Sequence, residues 1–238
     1  MNDAKLAVLF VHGIQGQPKQ FQFLTDALPS SVEGRAILLP GHGKTAREFH
    51  AVGRADWQAA VRKETEALLA QGKRVLYVGH SMGCLLGLSV SRELDAPYAG
   101  MLLLGCPFRI RFLGRFVGDP LRSIGRKREE DPRDRASREG NSVPTEGLGD
   151  LLRILHPYAE LMRLVRQERR AKPRLPERVR FFFSGNDEIV SLRSSETAGE
   201  WPGAEIRVLE GCGHCYFTDA AIKTLRAALL DLIAEVQS

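Results

Sequence analysis

Apolar positions along the 238-residue chain alternate between strand-length runs and helical spacing. Leu6-Ala7-Val8-Leu9-Phe10-Val11 is unbroken, the pattern of a strand buried on both faces of a parallel sheet. Phe21, Leu24 and Leu28 then share one helical face, and Pro29 closes that helix. Arg35 to Leu39 reads as a second strand, followed by the loop Pro40-Gly41-His42-Gly43. A helix with Asp56 as its candidate N-cap runs through Trp57, Val61, Glu64, Leu68 and Leu69 to a stop at Gly72. Val75 to Val78 forms the third strand, Leu85 to Val90 the apolar part of the next helix, and Gly100 to Gly105 the fourth strand. Such alternation implies right-handed crossovers and a parallel sheet with ligands at the carboxyl ends of its strands.

After Cys106-Pro107 the alternation stops. Phe108 to Phe116 mixes Arg with apolar residues, and Arg126 to Asn141 is charged, punctuated by Pro and Gly, with almost nothing to bury; part of it is expected to be mobile. Leu148, Leu151, Leu152, Leu155, Leu161, Met162 and Val165 mark an amphipathic helical stretch in which Pro157 allows a break or kink after His156. Residues 107–175 thus leave the sheet and return to it, the habit of a lid; the plainer reading is a long crossover packed on the sheet. Val179 to Phe183, a helix from about Leu192 to Glu200, the strand Ile206 to Leu209 and a helix from Ala220 to Val236 complete the chain. No internal repeat is evident, and residues 1–238 read as one α/β domain.

The candidate chemistry sits at Gly79-His80-Ser81-Met82-Gly83, between the third strand and its helix. A turn this tight forces its apex toward positive φ and leaves its neighbours two positions away almost no room for side chains. Ser81 is thereby presented at a helix N-terminus, where developing negative charge is favoured. Serine needs a base, and the base an orienting carboxylate. Asp187 and His214 each follow a strand, on the same rim as Ser81, in the chain order Ser, Asp, His that accompanies this elbow; Glu188 is the competing acid. The backbone N–H groups of Met82 and Ile14 are the candidate oxyanion donors. Pocket candidates on the insert are Leu152, Leu155 and Met162.

Charge and cysteines narrow the setting. Between Phe108 and Arg180 stand 19 Lys and Arg against 11 Asp and Glu, in a chain of net charge +5. A solvated Arg-rich surface explains this, and weak contact with an anionic lipid surface is the alternative; no nucleic-acid partner is expected. Four cysteines are too few for a disulfide framework, the leading apolar run is too short for a signal peptide, and no run spans a membrane, so a cytoplasmic protein is expected. Cys212-Gly213-His214-Cys215 looks like a redox motif but follows a strand rather than opening a helix, and its spacing would strain a zinc site. His12, His42, His80 and His156 read as structural histidines, and Trp57 and Trp201 as packing residues.

Taken together, His12-Gly13-Ile14, Pro40-Gly41-His42-Gly43, Asp56-Trp57, the elbow, Gly185-Asn186-Asp187 with Val190, and Gly213-His214 make the chain resemble α/β-hydrolases. Within them it is similar to the carboxylesterase and monoacylglycerol lipase, or serine aminopeptidase-type, branch. The resemblance implies the α/β-hydrolase fold, here a mostly parallel sheet of about six or seven strands flanked by helices, because the early antiparallel strands of longer members are absent. It implies a serine hydrolase acting on carboxylic esters of short or medium acyl chains, or on monoacylglycerol-like esters, with no cofactor and no metal. Lysophospholipids and thioesters are the alternatives on the same triad, and a non-catalytic ligand-binding hydrolase fold is the alternative of another class. Cys84 departs from the pattern, standing where a third small residue, commonly Gly, is usual. Oligomeric state is left open.

Overall fold

A computed structural model describes residues 5–111, 131–171 and 176–238. Six strands form one sheet in the order β2-β1-β3-β4-β5-β6, every neighbouring pair parallel. They are β1 (Leu6–Val11), β2 (Glu33–Ile37), β3 (Arg74–His80), β4 (Tyr98–Leu104), β5 (Val179–Ser184) and β6 (Ala204–Leu209). The helices are α1 (Gln22–Thr25), α2 (Ala46–His50), α3 (Arg54–Ala70), α4 (Met82–Glu93), α5 (Pro132–Gly140), α6 (Leu148–Arg170), α7 (Ser194–Gly199) and α8 (Asp219–Gln237). Because strand side chains alternate, one face of the sheet presents Leu9, Tyr77, Met101, Leu103 and Phe181 to α2, α3, α4, α6 and α7. The other presents Val8, Phe10, Val78, Leu102 and Phe182 to α8 and the region of α1. The chain steps from β1 outward to β2 and then returns to β3 on the other side, so the connections after β1 and β3 diverge. A crevice opens at the carboxyl ends of those two strands, the place where this topology puts ligands.

Several expectations shift. The first helix is a 3-10 turn, Pro18–Phe21, followed by the single-turn α1. The second strand begins earlier, at Glu33, and Leu39 has already left the sheet, its N–H donating to His12 Nε2 at 3.0 Å. Asp56 is not the N-cap of α3 but its third residue, and its carboxylate reaches back to the Gly53 N–H at 2.9 Å. α2 was not anticipated, although its capping box, Thr45 with Glu48, is plain in the sequence.

In the insert, residues 132–140 are helical and capped by Asp131, within the segment Arg126 to Asn141 of which part was expected to be mobile. Of the stretch expected to form a lid, residues 112–130 and 172–175 lie outside the described residues. α6 runs unbroken through Pro157. Proline cannot donate to the carbonyl four residues back, that of Arg153; His50 Nδ1 does so instead at 2.8 Å, and the helix continues. α6 is tied to α4 by a bidentate ion pair: Arg92 Nη1 and Nη2 meet the carboxylate oxygens of the fully buried Glu168 at 2.6 and 2.8 Å.

Candidate active site

Strand β3 ends at His80, and Ser81 turns the chain with φ 53° and ψ −120°, a region closed to most side-chain-bearing residues. The strain is held by the Ser81 amide on the Leu104 carbonyl and the Cys84 amide on the Ser81 carbonyl, each at 2.9 Å. The two elbow glycines are needed for space. A Cβ on Gly83 would lie 2.0 Å from the Val11 carbonyl oxygen, and one on Gly79 would lie 2.8 Å from the Cys84 nitrogen. Cys84 fits because its thiol hydrogen-bonds the Gly79 and Leu104 carbonyls at 3.2 and 3.3 Å. Tyr77, beneath the helix, donates its hydroxyl to the Gly83 carbonyl at 2.6 Å and lies so close to Gly87 that a Cβ there would meet its ring at 2.2 Å.

Asp187 follows β5, and its two carboxylate oxygens divide their work. Oδ1 accepts the Ile189 and Val190 amides at 2.8 and 2.7 Å, while Oδ2 lies 2.9 Å from His214 Nδ1. The start of the insert braces this loop: Ile110 bridges Val190, and the Arg111 amide donates to the Ile189 carbonyl at 2.8 Å. His214, in the loop after β6, is gripped along its backbone as well. Its N–H donates to Glu188 Oε2 at 3.1 Å, and its carbonyl accepts from His80 Nε2 at 2.9 Å. Both are contacts that sequence reasoning missed; Glu188 binds the histidine's main chain and does not take Asp187's place on the ring.

Ser81, Asp187 and His214 are all at most 5% exposed. Ser81 and His214 line a cavity of about 580 Å³ at the crevice between β1 and β3. Among the described residues no hydrogen bond joins Ser81 Oγ to the imidazole; the two groups face the same space with the link between them open, as is common before substrate tightens a site. Gly13 and Ile14 line the cavity beside Ser81, and a Cβ on Gly13 would lie 2.9 Å from Ser81 Cβ, so the loop after β1 passes directly over the elbow. Met82 is the first residue of α4, and its amide has no intrahelical carbonyl to serve.

Electrostatics separate the buried groups. Burial alone would raise the Asp187 carboxyl, but the neighbouring His214 charge, the hydrogen bond between them and the Val190 and Ile189 amides hold it below its ordinary value. For His214 burial pulls downward, and the charge and hydrogen bond of Asp187 together with Glu188 more than reverse it. Cys215, on the cavity wall, is pushed up to about 12 by burial and the charges of Glu188 and Asp187, the opposite of what a redox thiolate requires.

The alpha/beta hydrolase family profile matches residues 8–228. The chain is an α/β-hydrolase. Solved structures of similar fold include a soluble variant of monoglyceride lipase from Saccharomyces cerevisiae in complex with a substrate analog, at 17% identity and a TM-score of 0.73 over 100% of this chain and 89% of that one. Another is the monoacylglycerol lipase of Paleococcus ferrophilus, at 15% identity and a TM-score of 0.67 over 98% and 95% of the two chains. A thioesterase domain from the curacin biosynthetic pathway is also similar, at 16% identity and 0.58 over 94% and 91%. No curated protein sequence matches the chain.

The cavity of this α/β-hydrolase differs in detail from the pocket expected. Met162 lines it, but Leu152 and Leu155 do not; they are 60% and 56% exposed on the outer side of α6, since the face that meets the site carries Tyr158, Leu161 and Met162. The apolar wall is completed by Ile110 and Ile189, and the loop after β1 contributes Gln15, Gln17 and Gln20. No helix among the described residues is long and apolar enough to cross a membrane.

Proposed function

We propose that this α/β-hydrolase cleaves carboxylic esters through an acyl-enzyme formed on Ser81. The observation that carries the reading is that a serine hydroxyl on a strained elbow opens into the same cavity as an imidazole whose Nδ1 is held 2.9 Å from a buried carboxylate. Asp187 fixes the proton of His214 on Nδ1, which leaves Nε2 as the base. Ser81 Oγ attacks the ester carbonyl while Nε2 takes its proton; the tetrahedral oxyanion is met by the Ile14 and Met82 amides. As the C–O bond breaks, His214 returns the proton to the departing alcohol. Water then enters, loses a proton to Nε2, attacks the acyl carbon, and Ser81 leaves with its proton restored. The chemistry calls on no metal or cofactor.

The apolar wall of Ile110, Leu161, Met162 and Ile189 suits an acyl chain, and the glutamines after β1 suit a polar alcohol, which favours short or medium acyl esters of the monoacylglycerol kind. Residues 107–175 are taken as the lid of this cavity, with residues of α5 and α6 lining it and 112–130 and 172–175 outside the described residues. Thioesters remain the second reading, supported by likeness to the curacin thioesterase domain. Four unpaired cysteines suit a reducing cytoplasm. The test is a fluorophosphonate probe together with a chain-length series of nitrophenyl esters, thioesters and monoacylglycerols. Ser81→Ala is expected to lose labelling and about 10⁴-fold or more of turnover. Ester hydrolysis that survives in Ser81→Ala, or folded wild-type protein that the probe leaves unlabelled, overturns the proposal.

A further inference from the structure

Three consecutive residues of the loop after β1 are held by the segment between β4 and β5, more than a hundred positions away in the chain. The Ser142 amide donates to the Gln15 carbonyl at 2.7 Å. The Ser142 hydroxyl lies 2.6 Å from the Gly16 carbonyl and 3.1 Å from that of Gln15, so its single proton goes chiefly to Gly16, and its oxygen accepts the Gly43 N–H at 3.2 Å. Tyr158, on α6, donates its hydroxyl to Gln15 Oε1 at 2.6 Å. Gln17 Nε2 donates to the Glu139 carbonyl at 2.9 Å, at the end of α5.

The loop needs this support. Gly16 N–H closes a turn on the Gly13 carbonyl at 3.0 Å, and the third residue of that turn, Gln15, has φ 54°. Positive φ at that position is the mark of a type II turn, which calls for Gly or Asn; a glutamine there is strained. Left to itself the turn relaxes by rotating the Ile14–Gln15 peptide; the Ile14 N–H belongs to the adjoining Gly13–Ile14 peptide, which keeps its place only while the turn that follows it is anchored, and strained backbone persists only where its surroundings over-determine it. Here the carbonyls of the two residues after Ile14 are gripped by Ser142, and the side chain of the strained residue by Tyr158. Burial pushes the Tyr158 phenol upward, so it stays protonated and keeps donating.

We infer that Ser142 and Tyr158 are positioning residues that hold the Ile14 amide in its oxyanion-binding orientation, so that the insert assembles the active site as well as covering it. The inference rests on the role proposed above for Ile14. It predicts that Ser142→Ala and Tyr158→Phe each lower kcat on a nitrophenyl ester by about 10-fold or more, up to the 10²–10³ typical of a lost oxyanion donor, with KM changed by less than about threefold. Ser142→Thr, which keeps the hydroxyl, is expected to recover kcat to within about threefold of wild type. Amide exchange across Ile14–Gln17 should quicken in both variants while α3 is unaffected, a readout independent of turnover. With an active wild type, kcat within threefold of normal in both variants, exchange left unchanged, or Ser142→Thr as slow as Ser142→Ala each overturns the positioning role alone. A wild type with neither ester turnover nor Ser81 labelling overturns the proposed reaction, and this role with it.

Discussion

Gly13→Ala probes the spacing on which the proposed reaction depends. The added methyl would stand 2.9 Å from Ser81 Cβ and 3.4 Å from both Ser81 Oγ and the His80 carbonyl oxygen. Carbon–carbon contacts are most favourable at about 3.5–4.0 Å, so either the loop or the elbow must yield by about 0.6 Å. The elbow is pinned. Ser81 N–H holds the Leu104 carbonyl at 2.9 Å, and Gly83 is packed so closely on β1 that a Cβ there would lie 2.0 Å from the Val11 oxygen. The loop therefore moves, and it carries the Ile14 amide with it. An oxyanion donor works over about 2.7–3.1 Å, and losing one costs about 2.7–4 kcal/mol. The expected result is a kcat lower by about 10²-fold on nitrophenyl esters. Overpacking of about 1–3 kcal/mol lowers the thermal midpoint by roughly 2–12 °C at this chain size. Gly147→Ala, where a Cβ meets nothing within 4 Å, is the control that leaves kcat unchanged, although as the N-cap of α6 it loses a little stability. A folded Gly13→Ala protein with kcat within threefold of wild type refutes the reasoning.

The rate should depend on a deprotonated His214, whose folded pKa is raised; kcat/KM is expected to fall as pH drops through a value above 6.5, and Glu188→Gln, which removes one of the raising charges, moves that limb to lower pH. A pH–rate profile with the limb unmoved or shifted upward contradicts this. By linkage, the raised His214 stabilises the fold fully below 6.5 and loses that contribution as pH rises through its folded pKa, while the lowered Asp187 stabilises above 3.8 and loses it on acidification, so the pair contributes most between these values. At the far end of the insert, Arg92→Ala strands a fully buried Glu168 carboxylate with Gln167 Nε2 at 3.0 Å, at a cost of about 3–5 kcal/mol. Glu168→Ala leaves a guanidinium whose side chain is 32% exposed and reaches water, so thermal melts should show a drop roughly half as large; equal drops contradict the asymmetry.

The parallel sheet was legible because its inner strands are buried on both faces and so appear as largely apolar runs; β1 lies at Leu6–Val11, where its pattern put it. Ser81, Asp187 and His214 were legible as candidates because each lies in the loop or turn that leaves a strand's carboxyl end, directly after β3 for Ser81 and a few residues past β5 and β6 for the other two, with glycine close by. Less was visible where one part of the chain rescues another. The gap Pro157 leaves in α6 is closed by His50, and nothing near residue 157 announces it. The outer edge of the helix was misjudged for the same reason: Leu152 and Leu155 obey helical periodicity as well as Leu161 does, yet only packing against α2, α3 and α4 decides which arc turns inward. Ser142 and Tyr158 carry no local signal at all, since their partners lie in the first turn of the chain after β1.

Four buried histidines compete as bases near the sheet's carboxyl edge, and what each nitrogen touches separates them. His12 uses both, Nδ1–H to the Gly13 carbonyl at 2.8 Å and Nε2 to the Leu39 amide at 3.0 Å, so protonation would break the second bond; burial takes it down to about 3. His42 donates from Nδ1 to the Pro40 carbonyl and has no partner for Nε2, and burial lowers it to about 4. His80 donates from Nε2 to the His214 carbonyl while Nδ1 is unpartnered, and burial, reinforced by His214, lowers it to about 3. Protonating either ring would bury a new N–H with nothing to receive it. His214 is as deeply buried, yet it alone has a carboxylate on one nitrogen and the open cavity on the other, and its pKa moves in the opposite direction. The same desolvation that lowers three imidazoles is more than offset at the fourth, and what separates it from the rest is chiefly a buried aspartate, with Glu188 adding to it.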